Sequence, residues 1–267
     1  GSGKSVTMMS ILGLIPKPPG KVVGGRALYR GRDLLQMSKK DLRQVRGKKI
    51  SVIFQDPMTC LNPYLSIETQ ITEVLYEHEP SITKLEARTR ALEAMRKVGI
   101  ADVERRISEY PHQFSGGMRQ RVMIAMAIVT NPDILIADEP TTALDVTIQA
   151  QILDLLRDMQ KELGVSIILI THDLGVVAGM ADYVSVMYAG RHVEHGSVDE
   201  IFYESSHPYT YGLLKSNPQS SMAKNELYSI EGLPPDPTAL PVGCPFAPRC
   251  VQVHSPCRTK NILPTQT

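Results

Sequence analysis

An excess of charge of either sign is the first thing this sequence lacks: 29 Lys and Arg stand against 28 Asp and Glu, a formal net charge of +1. A nucleic-acid binder would carry basic residues in clear excess, so any phosphate contact must be local and no nucleic-acid partner is expected. Long hydrophobic runs are lacking as well. The longest, VMIAMAIV, falls short of half the ~20 apolar residues that cross a bilayer as a helix, so a soluble chain is expected, with any membrane role peripheral. Cysteine is scarce, with four residues at Cys60, Cys244, Cys250 and Cys257. A reduced cytosolic chain seldom spends such residues on disulfides. Internal repeats and low-complexity tracts are absent too.

What is present is alternation. Up to about Gly196, strand-like and helix-like segments follow one another, the pattern of a sheet with crossover helices. KKISVIFQ, DILIAD, VSIILIT and YVSVMYA are short runs rich in Val, Ile and Tyr, three of them nearly all apolar, and are expected to form one parallel sheet covered on both faces. VTMMSILGL has helical spacing and is expected to stop at KPPG. Residues from about 57 to 130 show helical periodicity without a good strand, which predicts a helical subdomain inserted into the sheet. VTIQAQILDLLRDMQKELG carries Ile148, Ile152, Leu155, Met159 and Leu163 on one face, with Asp145 placed to cap its start and Gly164 its end. Cys60 is expected to be a small buried residue. Beyond His207 proline becomes dense, and an extension of low regularity is expected from 206 to 267.

Three stretches carry chemistry. GSGKS supplies glycine, lysine and a hydroxyl in the order of a phosphate loop. Backbone N–H groups of Gly1, Ser2 and Gly3 turn toward a β-phosphate, Lys4 neutralises β and γ oxygens, and Ser5 holds Mg²⁺. The bland alternative is a flexible Gly/Ser end. DILIADEP is an apolar strand ending in two acids, with Asp138 able to bind Mg²⁺ and Glu139 placed to orient or deprotonate an attacking water. FSGGMRQR puts Ser115, Gly116 and Gly117 ahead of a helix, whose free N–H groups and positive dipole end make a second anion site. One nucleotide needs one phosphate loop, so the surplus site is explained if it serves a nucleotide held by another subunit.

In this order GSGKS, FQDP, FSGGMRQR, ADEPTTALD and ITHD resemble the ATP-binding subunit of an ABC transporter, over roughly residues 1 to 215. The resemblance implies an α/β P-loop NTPase with a mostly parallel sheet and an inserted helical subdomain, in an ATPase domain spanning about residues 1–205. It implies that Gln55 senses the γ-phosphate and Mg²⁺ and faces the transmembrane partner. Ser115, Gly116 and Gly117 would contact ATP bound to the opposite subunit, Asp145 would lie at the dimer seam, and His172 would hold the γ-phosphate during hydrolysis. Alone, each has a plainer reading: a turn residue, a helix cap, a strand-end histidine. The signature departs from the usual form in having Phe114 and Met118, a variant resembling the peptide-importing branch. With Glu139 and His172 in place, a competent half-site is expected. The family also places strands and an adenine-stacking aromatic residue before the phosphate loop; none is assigned here. The chain is therefore expected to be a piece of a longer ATPase that binds ATP weakly by itself.

SSHPYTYGLLKSNP followed by CPFAPRC resembles the C-terminal region of oligopeptide and dipeptide importer ATPases. Cys244-x5-Cys250-x6-Cys257 is too open for the paired CxxC of a zinc ribbon. Two readings stand: reduced thiols in a loop, or, as the resemblance implies, three of the four ligands of a [4Fe–4S] cluster, the fourth expected further on. The resemblance as a whole implies a peripheral subunit at the cytoplasmic face of the membrane that hydrolyses ATP to power peptide import. Its implied partners are a second ATPase subunit, identical or related, permease subunits and, indirectly, an extracellular peptide-binding protein. The alternatives are a nickel importer of the same branch and a soluble, non-transport ABC ATPase, which normally carries two cassettes in one chain.

Overall fold

The structure, a computed structural model, describes residues 2–142, 144–217 and 228–259. Gly1 of the expected phosphate loop lies outside the described residues. In chain order the elements are α1 (Lys4–Ile11), β1 (Leu28–Tyr29), β2 (Arg32–Asp33), α2 (Lys39–Val45), β3 (Ile50–Ile53), α3 (Pro57–Cys60), α4 (Ile67–His78), α5 (Lys84–Lys97), α6 (Val103–Arg106), α7 (Gly116–Ile128), β4 (Ile134–Asp138), α8 (Val146–Leu163), β5 (Ser166–Ile170), α9 (Leu174–Met180), β6 (Tyr183–Tyr188), β7 (Arg191–Ser197), α10 (Val198–Tyr203), α11 (Pro208–Lys215) and α12 (Ser255–Thr259). They fall into two compact units, Gly1–Thr7 with Thr171–Thr267, and Met8–Ile170.

In the Met8–Ile170 unit, three strands pair in parallel in the order β3-β4-β5. Their sequences, ISVI, ILIAD and SIILI, are dominated by the β-branched residues that suit a pleated, covered surface. The central strand β4 is buried from Leu135 to Asp138, whereas β5 sits at the sheet edge with Ser166 and Ile168 exposed. Leu12, Leu34, Leu42, Val45, Ile50, Ile136 and Ile170 form one core cluster, with Met8 and Ile11 of α1 packed against it. Each such side chain, taken from water, contributes about 1.5–3 kcal/mol. The segment from α3 to α7 is helical throughout, and α4, α5 and α7 pack on one another through Ile67, Ile71, Leu75, Ala87, Ala91, Ala94, Met95, Val122 and Ile124, all buried. Small alanines along α5 let its axis approach its neighbours closely.

Several sequence expectations need correction. The fourth strand expected in the parallel sheet, β6, pairs antiparallel with β7 in a separate two-stranded sheet of the other unit. The two are joined by Ala189 and Gly190, both at positive φ (46° and 76°), the backbone of a two-residue hairpin turn whose twist matches its strands. α1 ends at Ile11, before Gly13 at φ 64°, several residues ahead of KPPG. On α8 the buried stripe is Ile152, Leu153, Leu156 and Met159, with Leu155 and Leu163 half-buried, a rotation of the expected face. Cys60 is exposed rather than buried, because it closes the one-turn helix α3 at the surface.

In the Thr171–Thr267 unit the proline-dense extension builds a small core against Tyr188 at the end of β6. The rings of Tyr188, Tyr209 and Phe246 meet at centroid separations of 4.6, 5.3 and 5.4 Å, and Phe246 and Ala247 are buried. Among the described residues, no helix is long and apolar enough to cross a membrane.

Candidate functional site

Parallel register decides which side chains meet at the strand ends. Ile53 lies beside Ala137, and Asp138 beside Ile170, so β3 and β4 deliver the residues that follow them to the same edge of the sheet. Gln55, two residues past β3, donates from Nε2 to Glu139 Oε2 at 2.9 Å. Thr142 Oγ1 donates to the same oxygen at 3.0 Å, and the Glu139 N–H bonds Ile170 O at 2.9 Å. Glu139 holds a left-handed backbone, φ 46°, a conformation that costs a non-glycine residue about 1–3 kcal/mol and persists where surroundings over-determine it. Here strand pairing on one side and two side-chain donors on the other do so. Asp138, the last residue of β4, is buried, a carboxylate placed where a hard cation would compensate its desolvation. Thr142 was not anticipated from the sequence; its hydroxyl is too common a group to signal a role by itself.

The N-terminus of α7 is built by Ser115, whose hydroxyl accepts from the Met118 N–H at 3.4 Å. Gly116 and Gly117 occupy the first turn of this 13-residue helix. A Cβ on Gly117 would lie 2.9 Å from Ile148 Cγ2 of α8, while one on Gly116 would meet nothing within 4 Å. The first glycine thus leaves the helix amides open to an approaching anion, and the second lets α7 and α8 touch. Phe114, the departure from the usual leucine, is buried, with the Arg106 guanidinium 5.9 Å from its ring centroid. Asp145 is exposed and caps α8 by accepting from the Ile148 N–H at 2.9 Å.

In the other unit, Gly3 takes φ 92° and its carbonyl accepts from Thr7 N at 3.0 Å and Thr7 Oγ1 at 2.8 Å. Lys4 and Ser5 open α1, and Lys4 Nζ lies 3.4 Å from Ser2 Oγ. The first-turn amides of α1 are the donors that a phosphate would take. His172 is exposed, between Thr171, whose Oγ1 accepts from Asp173 N at 3.0 Å, and Asp173, whose Oδ1 caps α9 by accepting from Gly175 N at 2.8 Å. These bonds on either side fix the backbone that carries the imidazole.

The cysteines converge without forming a metal centre. Cys244 N–H donates to Cys257 O at 2.8 Å. Burial pushes the Cys250 thiol above its ordinary pKa, and the nearby Cys244 and Cys257 add to the rise against a backbone bond from Gln252. Among the described residues no group of three or more His, Cys, Asp and Glu is arranged to hold a metal ion, so the expected iron–sulfur ligands find no assembled set.

Comparison with known proteins adds the following. The ABC transporter family pattern matches residues 1–142, and the pattern of the oligopeptide/dipeptide transporter, C-terminal region, matches residues 193–257. The oligopeptide transport ATP-binding protein OppD of Bacillus subtilis is 59% identical over 250 residues, covering 93% of this chain and 70% of that protein. The dipeptide transport ATP-binding protein DppD of the same organism is 54% identical over 267 residues, 100% of this chain and 79% of that protein. Among solved structures, the ATP-binding cassette MJ0796, in a dimeric post-hydrolysis state bound to ADP and Pi, matches with a TM-score of 0.63 and 28% identity over 74% of this chain and 81% of that one.

Proposed function

This chain belongs to the ABC transporter ATPases, and from that premise we propose that it is the ATP-hydrolysing subunit that powers peptide import through a membrane transporter. The observation that carries the catalytic assignment is the Gln55–Glu139 bond of 2.9 Å at the end of the parallel strands. It couples the expected γ-phosphate sensor to the expected base. Lys4 and the amides of Ser2, Gly3 and Ser5 hold the phosphates, Ser5, Gln55 and Asp138 hold Mg²⁺, Glu139 activates water and His172 steadies the γ-phosphate. When bound, Mg²⁺ neutralises charge on the β and γ oxygens. Ser115, Gly116 and Gly117 close on the nucleotide of a partner ATPase, with Asp145 at the seam. The dimeric state of the structural neighbour supports this reading.

The peptide cargo is supported by the oligopeptide/dipeptide match over residues 193–257 and by the oligopeptide and dipeptide transport roles of the OppD and DppD relatives. We assign the ATPase domain to residues 1–205, its helical subdomain to about 57–130, and the importer-type extension to 206–267. An apolar cleft of about 250 Å³ lined by Leu12, Leu14, Phe54, Leu61, Met123 and Met126 has in its wall the residue before Gln55, and is the surface we give to the permease at the cytoplasmic face of the membrane. A [4Fe–4S] cluster enters only if the complete protein supplies further ligands, and absorption near 400 nm after anaerobic purification would reveal it. The function itself is tested in the assembled transporter with Lys4→Ala. Peptide uptake and ATP hydrolysis should both be lost while the subunits stay together, and uptake that persists would refute the assignment.

A further inference from the structure

Within the unit that holds Ser2 to Ser5, the phosphate loop is tied to the β6–β7 hairpin. The Gly190 N–H donates to Ser2 O at 3.0 Å, and a Cβ on Gly3 would lie 3.4 Å from Gly190 Cα and 3.9 Å from Met187 Cε, so the turn presses against the loop, backbone to backbone. The residues flanking that turn are held by the C-terminal extension. Before it, the buried Tyr188 accepts at its hydroxyl from Arg249 Nη1 at 3.2 Å and packs edge-on against buried Phe246, ring centroids 5.3 Å apart. After it, Arg191 reaches Gly243 O at 3.4 Å. Arg249 spends its other nitrogens on the chain further back, Nε on Glu231 O and Nη2 on Ile230 O, both at 2.8 Å. A guanidinium bonded through each of its three nitrogens is a fixed strut, since each bond restricts the plane the others need.

We propose that Arg249 is a positioning residue for nucleotide binding, acting through the hairpin turn. It locks the extension onto Tyr188, and the locked hairpin presents the Gly190 N–H that fixes the Ser2 carbonyl and so the direction of the phosphate-binding amides that follow. This rests on the nucleotide reading of residues 1–5, and it gives the proline-dense segment a part in ATP affinity separate from any role of its cysteines. The strut acts on the resting loop and makes no contact with reacting atoms, so its loss should appear in KM and leave kcat in place.

The test uses the complete ATPase assembled with its partner subunits. Arg249→Ala should raise KM for ATP roughly five- to tenfold with kcat within about twofold, the scale of one ordinary net hydrogen bond, because the strut reaches the nucleotide only through the turn. Tyr188→Phe, which removes one hydroxyl and almost no packing, should raise it about threefold. Ser197→Ala strips the cap of α10 at the far end of the same hairpin and serves as the control for general loosening; its KM should stay that of wild type. In parallel, amide hydrogen exchange at Gly190, read without nucleotide, should accelerate in Arg249→Ala and Tyr188→Phe and not in Ser197→Ala. An unchanged Gly190 exchange rate in the first two variants, or an equal rise in KM in Ser197→Ala, overturns the proposal. A wild-type complex that neither binds nor hydrolyses ATP refutes the ATPase reading and, with it, the nucleotide role given to Arg249, while the exchange comparison still decides whether Arg249 fixes the turn.

Discussion

Gly116 and Gly117 are adjacent and lack side chains for different reasons, which makes them separable by substitution. Gly117→Ala drives a methyl into Ile148 at 2.9 Å, and overpacking of that kind costs about 1–3 kcal/mol, so thermal unfolding should show a lowered Tm. Gly116→Ala meets nothing and gains helix propensity, up to about 1 kcal/mol. It should leave Tm equal or higher while cutting ATP turnover at least about tenfold, because the methyl stands over an amide meant for a phosphate. A Gly116→Ala protein with wild-type turnover would remove this helix end from the site. Lys4, Glu139 and His172 stand out in the sequence because their chemistry is scarce and their spacing to strand and helix ends is specific, and the structure places Glu139 just past the end of β4 beside Gln55. Thr142 was not, since only the left-handed turn at Glu139 brings its hydroxyl back onto the carboxylate.

Helix boundaries were legible where a cap residue announced them, as with Asp145 before α8 and Gly164 after it, the latter at φ 64°. Asp145→Ala should therefore cost about 1 kcal/mol in denaturant unfolding, and Asp145→Asn, which keeps an acceptor, should recover most of it. The hairpin was misread for a physical reason. YVSVMYA has strand composition whichever sheet it joins, and RHVEHGS, polar though mostly half-buried, lacks the apolar run that announces a strand; the two-residue turn at Ala189 and Gly190 was the available signal. α11 begins with a titratable cap: His207 Nδ1 accepts from the Tyr209 N–H at 3.1 Å. Burial lowers the pKa of His207, against a smaller pull upward from Glu194. The folded state therefore prefers the neutral ring. Stability is full above the unfolded pKa of about 6.5 and falls as pH drops below it, where the unfolded chain takes up a proton that the fold resists. Melting at pH 7.5 and 5.5 should show this decline, and His207→Asn, an acceptor that does not titrate in this range, should flatten it; an identical pH dependence in the variant would assign the decline elsewhere.

At the scale of the whole molecule, the parallel β3-β4-β5 core was legible from its Ile-rich runs, while the division into two compact units was not, because it cuts the chain at Thr7 and at Thr171 and no shift in composition marks either place. The glycine-led helix ends at Gly3 and at Gly116 offer two sets of open amides, and on the proposed function the second is explained if copies or relatives of the chain exchange them. Cooperation between two ATPases is thus the central claim. It is tested most directly by measuring the molar mass of the complete protein with its partner ATPase, carrying Glu139→Gln, with and without Mg-ATP. The account predicts a closed dimer that accumulates only with ATP and is abolished by Ser115→Arg. A protein that stays solitary with ATP bound, while its wild-type form turns over ATP at full rate without the Ser115 stretch, would contradict it.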